Sequence, residues 1–223
     1  MEGKRRIGFL GGTFDPVHAG HLAAATAAFD ILNLEALWFI PSASPPHKAS
    51  HANGHPLTPL AHRVAMLQLA LKDHPGFVVS LIEAERRQPS YTIDTLRILR
   101  RRFGPGAEFF FLVGMDAFAE IDTWKDFELY PTLTHLAVVS RPPLSIAGVQ
   151  SLIARHYPGF TPEANGSRWR AAGVEGEIRI LTMRPVEVSS TKIRRRRRED
   201  VGIDGLVPPA VARYIEHHGF YRS

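Results

Sequence analysis

The stretch from Ile7 to His21, IGFLGGTFDPVHAGH, constrains what this chain can fold into more than any other. An apolar run, Arg6 to Leu10, breaks at Gly11-Gly12. Thr13, Asp15, Pro16 and a His18-x-x-His21 pair follow, and then an alanine-rich run begins. That order predicts a strand, a tight glycine turn and a helix, the arrangement that delivers a helix N-terminus and exposed backbone amides to a phosphate. Paired glycines admit backbone angles or close approaches that a side chain would prevent. Histidines three apart share a face once a helix has begun. The expectation is a nucleotide-handling enzyme with its reaction centre in this segment.

The rest of the chain alternates strand and helix patterns. Leu22–Leu32 is alanine-rich and reads as a helix packed closely on a sheet. Ala36–Pro41 is apolar on both sides, as an interior parallel strand would be. Ser42–Pro56 carries three histidines, prolines and a lysine, which argues for a long loop of functional rather than idle character. Thr58-Pro59 reads as a cap and first-turn proline for a helix running to about Asp73. Phe77–Ser80 is a short strand, and Glu83–Pro89 a charged connection. Ser90 or Thr92 opens a helix whose stripe is Ile93, Leu96, Leu99 and Phe103, with Gly104 at its end. Glu108–Val113 reads as the central strand, followed by Gly114-Met115-Asp116, and His135–Ser140 as another.

Leu144–Tyr157 holds a further helix pattern, Glu177–Leu181 a strand, and Pro208-Pro209 starts a last helix. With no internal repeat or separating linker, the chain is expected to form one domain over residues 1–223. That domain has a surface excursion around 142–176 and C-terminal helices at 190–198 and 209–218. The fold class is α/β: an open, mostly parallel sheet with helices on both faces, binding ligands beyond the carboxyl ends of its strands.

Composition narrows the function classes. The chain contains no cysteine, which removes disulfides, thiolate catalysis and cysteine-ligated metals. No charged leader with an apolar core and no bilayer-length run occurs, so a cytoplasmic protein without membrane contact is expected. The net charge of +5 owes much to five consecutive arginines, Arg194–Arg198. The other charges are mixed, so a small anionic substrate is the simpler account, and no nucleic-acid partner is expected.

Neither G-x-G-x-x-G nor G-x-x-x-x-G-K-[ST] is present, which argues against a dinucleotide clamp or a phosphate-loop ATPase. The histidine pair lacks the third and fourth ligands of a zinc site, so no protein metal site is expected. A magnesium ion carried mainly by substrate phosphates asks little of the protein and fits better. Ser189-Ser190-Thr191 with Arg194 one turn on forms a second phosphate corner of hydroxyls, helix amides and a guanidinium. Two such corners suit a polyphosphate and an in-line displacement at phosphorus, where alignment and charge stabilisation do most of the work.

These residues resemble the bacterial nicotinate-nucleotide adenylyltransferase family within the nucleotidyltransferase superfamily, and the resemblance covers nearly the whole chain. G-G-T-F-D-P-V-H-x-G-H at Gly11–His21 and V-S-S-T-x-I-R at Val188–Arg194 are similar to the two superfamily motifs. P-P-H-K at Pro45–Lys48, S-Y-T-I-D-T-L at Ser90–Leu96, F-x-x-G-x-D at Phe111–Asp116, Thr123-Trp124 and the terminal Gly219-Phe220-Tyr221 resemble the particular family. The resemblance implies a Rossmann-like nucleotidyltransferase fold and transfer of AMP from ATP to nicotinate mononucleotide, with Mg2+, yielding deamido-NAD and pyrophosphate.

It further implies catalytic roles for His18, His21, Lys48 and Arg194. Gly11, Gly12, Thr13, Gly114, Asp116, Ser190 and Thr191 are implied on the ATP side, and Tyr91, Thr92 and Trp124 on the pyridine side. Arg195–Arg198 and the region 142–176 exceed the family pattern and leave a homo-oligomer open. The nearest alternative is a nicotinamide-mononucleotide or dual-specificity adenylyltransferase. An RNA-binding protein on the same fold would explain the arginines but not the histidines.

Overall fold

The computed structural model describes residues 4–43, 56–86, 91–140, 146–184 and 186–222. Lys48, the histidines of the 42–56 loop and Ser90 lie outside the described residues. The strands are β1 (Arg5–Gly12), β2 (Ala36–Pro41), β3 (Phe77–Val79), β4 (Ala107–Gly114), β5 (His135–Ser140), β6 (Thr161–Pro162), β7 (Arg168–Arg170) and β8 (Ile178–Thr182). They form one sheet in the order β3-β2-β1-β4-β5-β8-β7-β6. All neighbours from β3 to β8 run parallel, while β6 and β7 are antiparallel additions at one edge.

The helices are α1 (Ala19–Ile31), α2 (Leu60–Leu71), α3 (Thr92–Phe103), α4 (Met115–Ala119), α5 (Tyr130–Leu133), α6 (Ile146–His156), α7 (Ser190–Arg198) and α8 (Pro209–His217). They divide between the two faces, and the period of two along each strand decides which core a side chain joins. Phe109, Phe111 and Val113 of β4 pack with Ile93, Leu96 and Leu99 of α3 and Val149 and Ile153 of α6. Their neighbours Phe110 and Leu112 pack with Ala25 and Ala28 of α1, Met66 and Leu67 of α2, Ile193 of α7 and Val211 and Ile215 of α8. Interior parallel strands are buried on both sides, which is why Phe109–Val113 reads as an unbroken apolar run.

Strand order reverses between β1 and β4: from β1 the chain proceeds outward through β2 and β3, and from β4 through β5 and β8. In open α/β sheets a crevice opens beyond the carboxyl ends of strands at such a reversal. Gly12 ends β1 and Gly114 ends β4 at that place. The glycines expected to break β1 are thus inside it, since Gly11 and Gly12 pair in register with Ile40 and Pro41.

One local expectation needs correction. Thr58 does not cap α2: the N-cap is Pro59, without a side-chain hydrogen bond. The Thr58 hydroxyl instead donates to the Tyr221 hydroxyl at 3.4 Å, and its backbone N–H to Asp15 Oδ2 at 3.3 Å. The glycine- and proline-rich segment from Pro158 to Gly176 contributes the two strands of the antiparallel edge, held down by buried Phe160 and Trp169. Two isolated aromatics among polar residues give no readable period.

Glu177 fastens that edge. Its buried carboxylate accepts from Arg168 and Arg179, and from Arg170 at 3.3 Å. Burial raises its pKa, but the hydrogen bonds from Arg168 and Arg179 outweigh this and leave it below the ordinary 4.5. The carboxylate's contribution to stability is therefore complete above the unfolded value and disappears as pH falls through the lower folded one. Melting curves of wild type and Glu177→Gln should differ most near neutral pH, with wild type the more stable. The gap should close progressively as pH falls below about 4.5.

Candidate functional site

The crevice begins where β1 hands over to α1. Phe14 has a left-handed backbone (φ +50°) and a buried ring. That ring folds back over Gly12, where an added Cβ would lie a tight 3.1–3.3 Å from it and the ring would have to shift. The Phe14 ring also meets the edge of His21 at 5.0 Å. A cis Asp15–Pro16 bond and fully buried Val17 then lead into His18.

The two histidines form a reciprocal cap on α1. His18 is the N-cap, in extended conformation, and His21 is the third helical residue. His21 N–H donates to His18 Nδ1, and His18 N–H to His21 Nδ1, each at 3.3 Å. Their rings stack with centroids 3.7 Å apart. This is a capping box made from imidazoles instead of a hydroxyl and a carboxylate. Because both Nδ1 atoms accept, neutral rings carry their proton on Nε2, which leaves an N–H donor on each. Gly20 between them is closely packed: a Cβ there would stand 3.0 Å from Val188 Cγ1 and 3.2 Å from the His18 ring, so those side chains would have to give way.

A second helix N-terminus is bolted against the first. Ser189 caps α7 by accepting from Lys192 N–H at 3.1 Å. The Ser190 hydroxyl donates to the Pro16 carbonyl at 2.9 Å, and Arg194 Nη1 to the Asp15 carbonyl at 2.6 Å. Arg194 Nη2 also donates to the Thr191 hydroxyl at 3.3 Å. Residues 174 and 179 positions apart are thereby in direct contact. His18, His21, Ser190, Thr191 and Arg194, nominated separately from the sequence, form one cluster around the Thr13–His18 turn. Two positive helix ends and a guanidinium give this cluster the charge that would suit an anion.

The remaining candidates lie near the ends of β1 and β4 and beyond. Gly11 and Gly114 are exposed. An added Cβ would meet nothing within 4 Å at Gly114 and only Phe111, at an ordinary 3.8 Å, at Gly11. The protein itself does not demand glycine at either position, which suits close approach by a ligand. Asp116 is exposed in the first turn of α4. Phe111 links this end to a second corner, its ring lying 6.2 Å from Trp124.

There, Lys125 Nζ sits 4.8 Å over the Tyr91 ring, so the Trp124–Lys125 turn adjoins the start of α3. Thr92 is the first residue of α3, and its side chain is hydrogen-bonded to the buried Tyr130 hydroxyl. Burial, the dominant influence, pushes that hydroxyl well above its ordinary pKa. The structure therefore gathers Tyr91, Thr92 and Trp124 into one partly buried corner, separate from the histidine cluster.

Thr58, Arg63 and Tyr221 were not among the functional candidates, and Asp15 was noted in the turn without a role of its own. Arg63 is 1% exposed although it sits in the second turn of a surface helix. Its Nε donates to the Thr58 carbonyl at 2.8 Å, and its Nη1 to the carbonyls of Thr13 at 2.7 Å and Ser42 at 3.0 Å. Burial lowers its pKa, opposed by the charge of Asp15. Asp15, 2% exposed, takes the Tyr221 hydroxyl on Oδ1 at 2.6 Å. A polar residue in the apolar stripe of α2 was the only available signal for Arg63.

The comparisons with known proteins decide the family. Residues 9–196 match the cytidylyltransferase-like family. The chain is 41% identical over 219 residues to a protein of Thermus thermophilus described as a probable nicotinate-nucleotide adenylyltransferase, covering 97% of this chain and 100% of that one. The chain belongs to this family.

A Thermomicrobium roseum relative of the same description is 37% identical, over 98% of this chain and 92% of that one. Among solved structures, the Plasmodium falciparum nicotinic acid mononucleotide adenylyltransferase complexed with NaAD superposes with a TM-score of 0.75. It covers 97% of both chains at 16% identity, a likeness of fold. The expected Rossmann-like nucleotidyltransferase architecture, with its mostly parallel sheet, is the one observed. No helix among the described residues is long and apolar enough to cross a membrane.

Proposed function

We propose that this enzyme transfers AMP from magnesium-bound ATP to the 5'-phosphate of nicotinate mononucleotide, releasing pyrophosphate and forming deamido-NAD. The observation that carries this reading is the meeting of the α1 and α7 N-termini around the Thr13–His18 turn, fixed by Ser190 on the Pro16 carbonyl and Arg194 on the Asp15 carbonyl. The names of the relatives supply the acceptor.

An oxygen of the acceptor phosphate attacks the α-phosphorus of ATP as the bond from that phosphorus to the β-phosphate's bridging oxygen breaks. The nucleophile is already ionised, so no strong general base is needed, and the barrier lies in aligning two polyanions. The Nε2–H groups of His18 and His21 donate to ATP phosphate oxygens, His18 to those of the reacting phosphorus. Arg194 and the first-turn amides of α7 hold the departing pyrophosphate, with Thr191 beside them. Gly11, Gly12 and Thr13 let backbone approach the phosphates, and Asp116 accepts from the adenosine ribose. Lys48, on a segment outside the described residues, completes the charge neutralisation.

Magnesium enters with ATP as part of the substrate. Among the described residues no group of three or more His, Asp or Glu side chains could hold a metal ion. The donors at the crevice suit phosphate oxygens, and an ion that keeps several waters and binds mainly through phosphates suits such a site. The Tyr91, Thr92 and Trp124 corner receives the pyridine ring, with Trp124 stacking on it and α3 start amides meeting the carboxylate.

Direct displacement has a kinetic signature. Mixed rapidly with magnesium ATP alone, the enzyme should release no stoichiometric burst of pyrophosphate. With nicotinate mononucleotide added, pyrophosphate and deamido-NAD should appear one to one. A burst equal to the enzyme concentration without acceptor would point to an adenylylated enzyme and contradict the scheme.

A further inference from the structure

The C-terminal tail reaches back into the phosphate turn, and that contact has no role in the reaction as described. Tyr221 has a left-handed backbone (φ +65°), a conformation costly for an aromatic residue and retained only where its surroundings over-determine it. The strain places its hydroxyl 2.6 Å from Asp15 Oδ1, across 206 residues of chain. Burial first, then the Asp15 charge, push that hydroxyl far above its ordinary pKa, so it stays protonated and donating. Phe14, next to Asp15, is also left-handed. The contact thus joins a left-handed residue to the neighbour of another.

What the contact fixes can be read from its neighbours. The Asp15 carboxylate takes Tyr221 on one oxygen and the Thr58 N–H on the other. Its backbone carbonyl takes Arg194. Arg63, from the other side, ties the Thr13 carbonyl to those of Thr58 and Ser42. Residues 13 and 15 of the turn are thus clamped by α2 and the tail, and Arg194 is seated on the clamped residue.

The geometry points to Tyr221 and Arg63 as positioning residues: acting through Asp15 and Thr13, they set the turn that presents His18 and the guanidinium of Arg194. Neither touches the reacting atoms. This inference rests on the proposed reaction for its kinetic readout but not for its binding readout. Tyr221→Phe keeps the ring and removes only the donor. A displacement of the turn by a fraction of an ångström costs alignment in the transition state before it costs substrate affinity at the remote pyridine corner.

The expected result for Tyr221→Phe is a fall in kcat of about tenfold. The KM for nicotinate mononucleotide stays within about twofold, and ATP affinity by calorimetry weakens measurably. In an Asp15→Asn background the same change should cost less than about twofold more, because the two groups act as one unit. Should Asp15→Asn not fold, Arg63→Lys takes its place in the cycle. A Tyr221→Phe enzyme with wild-type kcat, or losses that simply multiply in the double variant, would overturn the inference. If wild type releases no pyrophosphate with this acceptor, the reaction assignment fails on its own. The calorimetric arm then decides: ATP affinity weakened in Tyr221→Phe upholds positioning of Arg194 and the turn, and unchanged affinity rejects it.

Discussion

His18→Ala should slow pyrophosphate release by about 10²–10³-fold while the protein remains folded, the loss typical of removing one donor aimed at developing charge. Two roles converge on this side chain, and they separate cleanly. As the N-cap of α1 it accepts from His21 N–H, a contribution to stability of about 1 kcal/mol. As an Nε2–H donor it would meet the phosphate oxygens whose charge rises in the transition state. His18→Asn tells the two apart, since asparagine is among the best N-cap residues but cannot place an imidazole N–H at the same point. The expected pattern is stability recovered in His18→Asn and activity still low. Recovery of both would mean that the histidine serves the helix, not the reaction.

Arg63→Met should destabilise the fold by about 3–5 kcal/mol, the cost of stripping a buried charge from its partners. Three carbonyls, those of Thr13, Ser42 and Thr58, lose their donor together, and buried Asp15 loses the nearby positive charge. For a chain of this size the melting temperature should fall by roughly 10 °C or more. Arg195→Met provides the contrast: its 4.0 Å pairing with Glu199 is exposed, and such pairs contribute little. Differential scanning calorimetry on the two variants reads the difference directly. Equal, small shifts would show that Arg63 is no keystone of the phosphate turn.

Much of this architecture was legible because it rests on local signals. Residues 36–41 and 135–140 are strands with the bounds their composition implies, and α3 runs along its Ile93, Leu96, Leu99 stripe to Phe103. The histidine pair and the Ser189–Arg194 corner were visible because each is a compact motif. What the sequence could not convey is contact between distant segments. Thr58 looks like a cap in isolation, yet Asp15 and Tyr221 engage its amide and hydroxyl. Arg63 shows in the sequence only as a polar residue in the apolar stripe of α2, yet it is buried among backbone carbonyls. The 158–176 segment looks like surface because its two buried aromatics, Phe160 and Trp169, stand among polar residues, while Glu177 gathers the charges that a polar composition displays. Contacts that span from 43 to 206 residues of chain leave no periodic trace.

The central claim is that this crevice joins AMP to nicotinate mononucleotide, and one comparison tests it most directly. Pyrophosphate release should be followed with magnesium ATP and either nicotinate mononucleotide or nicotinamide mononucleotide, at matched concentrations and with product identified by mass. The account predicts deamido-NAD as product and a kcat/KM favouring the nicotinate substrate by more than about tenfold. Equal rates with the two acceptors would contradict the assigned selectivity, and no release with either would contradict the reaction itself.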